Sequence, residues 1–365
     1  MKDTKRKHTR RNTKGNFSEL GEGRSKSIYI EPQSTDTAVM IAFYNPAGFK
    51  RILNNILYVI HTLKEKKIPY FVVECVFPNR KPQIPNADLV LHSKSYMFYK
   101  EQLLNALEKI IPGKYTKLVA MDGDIIFDAP DWLDQISVML DTKDIIQPYL
   151  KACWLMPDNT RIRAWKYGIA YAHSKHIARN NVTISKYHPG FAWAFRRSVF
   201  KRLGGFYPNA LIGGGDSLFM LNFFYDTIPE SWIQRFDKAL NLFTGDWATY
   251  HTRFKEVNPT LGHLNIKAMH LFHGLILHRQ YGTRYSILNK YANTTWDNVF
   301  KVNDDGLTEF IDPKMNTILL KFFKQRNEDV SLKHAMRLTY GETKKVIVSS
   351  LNKDTDTPII PEEMK

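Results

Sequence analysis

Two aspartates flank a single glycine at Asp122-Gly123-Asp124, between the apolar run Lys117–Met121 (KLVAM) and Ile125-Ile126-Phe127. On extended backbone, side chains two residues apart point the same way. Both carboxylates can then face one ligand, with Gly123 allowing close backbone approach. Two carboxylates aimed at one point repel each other unless a cation lies between them. A hard divalent ion, with diphosphate oxygens as further ligands, resolves that conflict. Farther along, Gly213-Gly214-Gly215-Asp216 precedes the apolar stretch Ser217–Tyr225. Such a glycine run brings backbone close to a substrate, and Asp216 stands at a helix start. There it is either an N-cap carboxylate or a general base for an incoming hydroxyl. His270 and His273 lie three apart in His-Leu-Phe-His-Gly; a lone histidine is usually a core residue, but His273 is a candidate third metal ligand. Arg279 and Arg284 follow and could meet phosphate.

Other residues offer weaker chemistry. Lys100-Glu101, with Asn105 one turn later, reads as a surface ion pair or as donor binding with Lys100 near phosphate. Glu74 interrupts the apolar Val72-Val73-Glu74-Cys75-Val76. A carboxylate there needs a partner, and a ribose or base edge is one option. Trp193, in His188-Pro-Gly-Phe-Ala-Trp193, stacks on a sugar face or packs in the core.

The elements that must position these residues follow an α/β pattern. Strands are expected at Thr37–Tyr44, Tyr70–Phe77, Ala87–His92, Lys117–Met121 and Asp144–Tyr149. Helices are expected from Phe49 to Leu63, from Tyr99 to Ile111 and from Pro130 to Leu140. Alternation of this kind implies a mainly parallel sheet covered on both faces. Ligands then bind beyond the carboxyl ends of the strands, where the acidic motif stands. After about residue 150 the pattern weakens. Strands are expected at Gly190–Arg197 and Ile266–Phe272, and helical character at Ser217–Tyr225, Tyr281–Tyr291 and Pro313–Gln325.

With 365 residues, 43% hydrophobic and 13% aromatic, the chain is not disordered as a whole. The net charge of +16 favours anionic partners. Much of it sits in the basic run from Lys2 to Lys14, which reads as a disordered tail over residues 1–35. Residues 352–365 read as a second such tail. Cys75 and Cys153 lie in apolar stretches and make no disulfide framework. A signal peptide and a transmembrane run are not expected, so Asn181-Val-Thr183 and Asn293-Thr-Thr295 read as chance glycosylation matches.

The order of motifs resembles that of GT-A-fold glycosyltransferases, especially phage and large-virus proteins of this type. The matching segments include Phe43-Tyr-Asn-Pro46, Val73-Glu74, Lys100-Glu101 with Leu104-Asn105, Asp122-Gly-Asp124 with Asp131-Trp132, and Gln147-Pro-Tyr149. His188–Trp193, Gly204-Gly205-Phe206, Gly213–Asp216 and His270–Gly274 continue the series, so that the match spans about residues 37–290. The resemblance implies a Rossmann-like, mainly parallel central sheet flanked by helices, with a smaller acceptor-side region. It divides the chain into a GT-A domain at 36–295 and a C-terminal helical extension at 296–351, between the tails. It implies transfer of a sugar from a nucleotide-diphosphate sugar, expected to be UDP-linked, to a glycan, protein or lipid hydroxyl, with Mn2+ or Mg2+. Asp124 would hold the metal with His273 or His270, and Asp122 would lie near the ribose or the metal. The donor would meet Tyr44, Asn45, Glu74, Lys100, Asn105, Asp122, Trp193, Gly214 and Gly215. In galactosyltransferase-like relatives a Trp-Gly-Gly-Glu-Asp segment carries the base. Here Ile212 and Gly215 replace its Trp and Glu, leaving Asp216.

Two rival readings stand beside this one. A nucleotidyltransferase could use the same aspartates for the same ion. A nucleic-acid-binding protein would use the basic charge, but carboxylates on its binding face would repel phosphate; nucleic acid is expected only at the basic tail. A degenerate, inactive scaffold is a further alternative. The expected location is cytoplasmic, in the host cytoplasm or virion if the chain is viral.

Overall fold

The computed structural model describes residues 32–176, 186–230, 246–281 and 283–338. The basic run from Lys2 to Lys14, the tail from residue 352 and Asn181-Val-Thr183 lie outside them.

In chain order the strands are β1 (Thr37–Tyr44), β2 (Tyr70–Val76), β3 (Leu89–His92), β4 (Lys117–Met121), β5 (Ile125–Phe127), β6 (Ile145–Gln147) and β7 (Lys151–Leu155). Then come β8 (Ile162–Gly168), β9 (Tyr187–His188), β10 (Ala192–Arg196), β11 (Leu261–His263), β12 (Lys267–His270), β13 (Phe300–Val302) and β14 (Thr308–Phe310). The α-helices are α1 (Lys50–Glu65), α2 (Lys100–Glu108), α3 (Trp132–Leu140), α4 (Ile169–Ser174), α5 (Arg197–Leu203), α6 (Gly215–Phe224), α7 (Trp247–Val257) and α8 (Lys314–Gln325).

Seven strands form the central sheet in the order β11-β6-β10-β4-β1-β2-β3. Its pairings are parallel except that β10 runs antiparallel to both β4 and β6. The strands are apolar on both faces because both faces are covered. Ala38 and Met40 of β1, Leu118 and Ala120 of β4, and Trp193 and Phe195 of β10 share one core with α2, α5, α6 and α7. Their alternates Val39, Ile41, Val119, Met121 and Ala194 share the other with α1 and α3. The amphipathic spacing of Ile56, Val59 and Leu63 is what turns α1 toward that second core.

A smaller sheet, ordered β5-β12-β7-β8-β9, continues from the acidic turn. In it β12 runs antiparallel to β5, with His270 opposite Ile125. The stretch from 296 opens with a 3-10 turn (Trp296–Asn298) and the β13–β14 hairpin before α8, so its described part is not helical throughout. The hairpin is stitched to the loop ahead of α2. Glu309 accepts the Lys94 amide at 2.6 Å, and Gln102 bonds the Thr308 amide and hydroxyl at 3.0 and 2.8 Å. Both cysteines are buried free thiols. No described helix is long and apolar enough to cross a membrane.

Candidate active site

The parallel strands β1 and β4 lie side by side, β4 ending at Met121 and β1 running on to Tyr44. Beyond them lies a cavity of about 580 Å³. Tyr44, Asn45, Lys100, Asp122, Asp124, Gly214, Gly215, Asp216, His270 and His273 all line it. They come from segments up to 229 residues apart in the chain (44 to 273) and form two corners.

The first corner gathers around Asp124. Antiparallel pairing of β12 with β5 carries His270 alongside it, and the Leu271 amide donates to the Asp124 carbonyl at 2.8 Å. Three residues on, His273 Nε2 lies 2.7 Å from Asp124 Oδ2, while His270 Nε2 is at 3.5 Å. The two Nε2 atoms are 3.0 Å apart, so both rings converge on one point. His273 Nδ1 bonds Glu328, which arrives from beyond α8 and is 1% exposed. A ligating histidine held at its other nitrogen by a carboxylate is the usual support of a metal ligand. Arg279 approaches the same imidazole, its Nη2 3.0 Å from Nε2.

Burial pushes the Asp124 carboxyl up, but the adjacent His270 and His273 outweigh it and hold it well below the usual carboxylate range. Burial lowers His270 to about 3, so this imidazole is neutral at neutral pH, as a ligand must be. His273 is pulled down by burial but raised overall by Glu328 and Asp124.

These residues fit a divalent cation. Asp124 Oδ1 is buried with no hydrogen-bond partner. One ligand atom from each of Asp124, His270 and His273 lies within 4.8 Å of the others. One carboxylate oxygen with two imidazole nitrogens suits a divalent first-row ion.

The second corner gathers around Lys100, the first residue of α2. Its ammonium lies 2.9 Å from Asp122 Oδ1 and 2.8 and 2.9 Å from the two oxygens of Asp216. A cation at a helix N-terminus opposes the macrodipole, and burial also disfavours it. The carboxylates of Asp122, Asp216 and Glu101 outweigh both and raise Lys100 well above its ordinary value. Burial raises Asp122 to about 6; Lys100 opposes this, while Asp216 and Asp124 add to it. Burial likewise raises Glu101 to about 7.

The glycine run allows this crowding. A Cβ on Gly215 would lie 2.0 Å from Glu101 Oε1, so Glu101 occupies the space that a side chain at 215 would need. Gly214, at φ 97°, adopts a backbone conformation that favours glycine. It is also the N-cap of α6 and makes no side-chain cap bond. Asp216 is therefore not the helix cap: its carboxylate turns to Lys100. Beside it, His188 Nε2 is buried without a partner, and a Cβ on Gly190 would sit 3.3 Å from that atom and 3.0 Å from Asp216 Oδ2.

Asp122 and Asp124 do not point the same way as strand residues would. The chain turns at Gly123, with the Ile125 amide donating to the Asp122 carbonyl at 3.2 Å. The turn sends each carboxylate to a different corner, and Asp122 is outside the carboxylate–histidine group. Three expected donor contacts are also corrected, since none of them lines the cavity. Glu74 spends its two oxygens on the amides of Gln83 and Ile84 at 2.7 and 2.8 Å. Asn105 bridges the amide and carbonyl of Phe206 at 2.8 Å each. Trp193 is 1% exposed, packs on Phe219 and donates Nε1 to the Pro189 carbonyl. Asn45 lines the cavity but spends its amide on Phe49, closing the turn from β1 into α1.

Sequence reasoning missed Glu328, whose only sequence signal is one acid among several near the C-terminus. It read Lys100-Glu101 as a surface ion pair or as donor binding through Lys100, and gave Glu101 no place of its own at the glycine run. A glycine three residues beyond Ile212 with no room for a side chain is visible only in three dimensions.

No protein-family model matches the chain, and neither does any curated protein. Among solved structures, the chain is similar to the catalytic domain of Drosophila β1,4-galactosyltransferase 7 in complex with xylobiose. The TM-score is 0.36 at 12% identity, covering 78% of this chain and 98% of that one. It is also similar to glucosyl-3-phosphoglycerate synthase of Mycobacterium tuberculosis, solved with Mn2+, UDP-glucose and phosphoglyceric acid. There the TM-score is 0.31 at 12% identity, covering 75% and 86%.

Proposed function

We propose that the chain is a glycosyltransferase that moves a sugar from a nucleotide-diphosphate sugar, UDP-linked in our reading, to an acceptor hydroxyl. One observation carries the proposal. A single cavity at the carboxyl ends of β1 and β4 holds a carboxylate–histidine cluster in one corner and a lysine-held aspartate in the other. The first corner suits the donor's diphosphate and the second the acceptor's hydroxyl.

Asp124, His270 and His273 would hold a divalent ion, Mn2+ or Mg2+, which when bound would neutralise charge on the departing diphosphate. Glu328 keeps His273 turned so that Nε2 faces Asp124. Asp216 accepts the acceptor's proton as the hydroxyl attacks the anomeric carbon. Lys100 holds that carboxylate in place, and Asp122 shares the same ammonium. Gly214 and Gly215 let the substrate approach the backbone of the α6 start. The ring of Tyr44 at the end of β1 lines the same cavity and offers a face to the base or sugar.

A thermal-shift screen of nucleoside diphosphates and their sugars, with and without Mn2+, tests donor binding, because a ligand of the folded state raises the melting temperature. Product analysis then tests the reaction. Release of nucleoside diphosphate supports sugar transfer; release of pyrophosphate would replace it with nucleotidyl transfer.

A further inference from the structure

Arg284 is a buried cation without a counter-ion among the described residues. It opens the 3-10 helix Arg284–Tyr291 and is 8% exposed. Its Nη2 donates to Tyr285 Oη at 2.8 Å, and its Nε has no partner. The guanidinium is boxed by the rings of Phe98, Tyr281 and Tyr285, with centroids at 5.6, 5.2 and 4.9 Å. Ring faces attract a cation, but they do not accept the in-plane N–H donors of a guanidinium fork. A buried, unpaired charge is costly until an anion joins it.

The guanidinium faces the glycine loop. A Cβ on Gly213 would lie 2.8 Å from Arg284 Nη1, and one on Gly214 would lie 2.6 Å from Tyr285 Oη. This loop is the N-terminus of the 10-residue helix α6. Its first backbone N–H groups have no acceptor within the helix, and that end of the helix favours negative charge. Arg284, Tyr285 and Gly213–Gly215 all line the cavity. The carboxylate–histidine corner has a guanidinium of its own, Arg279. Tyr281 accepts from Arg279 at 3.1 Å and also lies against Arg284, but it is Arg284 that abuts Gly213, on the loop that carries Asp216.

We propose that Arg284 and the glycine loop at the start of α6 form an oxyanion subsite for a phosphate-class group carried by the acceptor, separate from the donor's diphosphate. The assignment to the acceptor rests on the glycosyl-transfer reading; the anion site itself does not. Anchoring an anion there places the acceptor's neighbouring hydroxyls beside Asp216, the second residue of the same helix.

The probe is methyl phosphate, titrated by calorimetry into the full chain with and without saturating UDP and Mn2+. It should bind in both conditions. Arg284→Lys, which keeps the charge but loses the fork, should weaken it by about tenfold or more, the loss expected of one charge-assisted hydrogen bond. Near-UV circular dichroism checks that this variant folds. If it does not, Tyr285→Phe removes only the hydroxyl that orients Arg284 and should also weaken methyl phosphate. Unchanged affinity in the folded variant overturns the proposal, as does absence of binding to the unaltered chain. Competition between methyl phosphate and UDP overturns it too, by assigning Arg284 to the donor. If methyl phosphate binds while no nucleotide does, glycosyl transfer fails and the anion site stands.

Discussion

Asp122 and Asp124 are two residues apart, yet they occupy opposite electrostatic settings. Asp124 faces two imidazoles, His270, neutral at physiological pH, and His273, backed by Glu328. Asp122 is neutralised by an ammonium that it shares with Asp216. The first setting leaves lone pairs converging on a point and a carboxylate oxygen without a partner. The second spends its ammonium on the carboxylates of Asp122 and Asp216 and holds them in place. One corner is built to receive a cation, and the other to hold a base in position. The turn at Gly123 makes the difference, so the spacing of the two acids does not by itself imply a shared ion.

The comparison breaks first at Asp124. Asp124→Ala should lower turnover by about 10³-fold or more, the scale of losing the main charge stabilisation in a reaction site. Mn2+ binding by calorimetry should disappear with it. Metal binding that survives this change would mean that the corner is not what holds the ion. Asp216→Asn should lower kcat by about 10²–10⁴-fold, as for loss of a positioned base, with donor KM nearly unchanged. Donor affinity lost in that variant would merge the two corners into one donor site.

Lys100 sharpens the distinction further, because it acts through its neighbours. Lys100→Met leaves Asp122, Asp216 and Glu101 together without a cation. Breaking a buried pair in this way costs about 3 kcal/mol of stability, measurable by urea unfolding. The activity that remains should show its acid limb displaced to higher pH, since Asp122 loses the charge that opposes its rise. Lys100→Arg should restore part of both. An unmoved acid limb would reduce Lys100 to a structural residue.

The comparison also explains which features the sequence reveals. The strands at Thr37–Tyr44 and Lys117–Met121 are found at their observed bounds, because burial on both faces makes them unbroken apolar runs. Helix α1 is legible from the 3.6-residue spacing of its apolar side. Strands β7 and β8 are not, because Lys151 and the half-exposed Arg163, Trp165 and Tyr167 obscure their period. At the site, sequence spacing names Asp124, His270 and His273, which the structure gathers into one cluster, but it joins Asp122 to them, because a turn and a strand read alike across three residues. Glu74, Asn105 and Trp193 are polar or aromatic residues in apolar surroundings, as ligand contacts often are. Their partners are backbone groups, which leave no trace in side-chain composition. Glu328 reaches the site by a tertiary contact 55 residues from His273, beyond any local pattern.

The smallest expected effect concerns Glu101, the acid least satisfied in the lysine corner. Burial raises it from 4.5 to about 7, with Lys100 opposing and Asp216 and Asp122 adding to the rise. The folded chain therefore holds a proton that the unfolded chain releases. That contribution to stability is complete below about pH 4.5 and is lost as pH rises through about 7. Glu101→Gln keeps a neutral side chain of the same shape at every pH. Its melting temperature should vary less than the parent's across that window and exceed it at pH 8 by on the order of a few degrees. Asp122, raised to about 6, keeps some slope in the variant. If the two melting profiles instead run parallel, Glu101 is already ionised at low pH, and the lysine corner sets three carboxylates against a single ammonium.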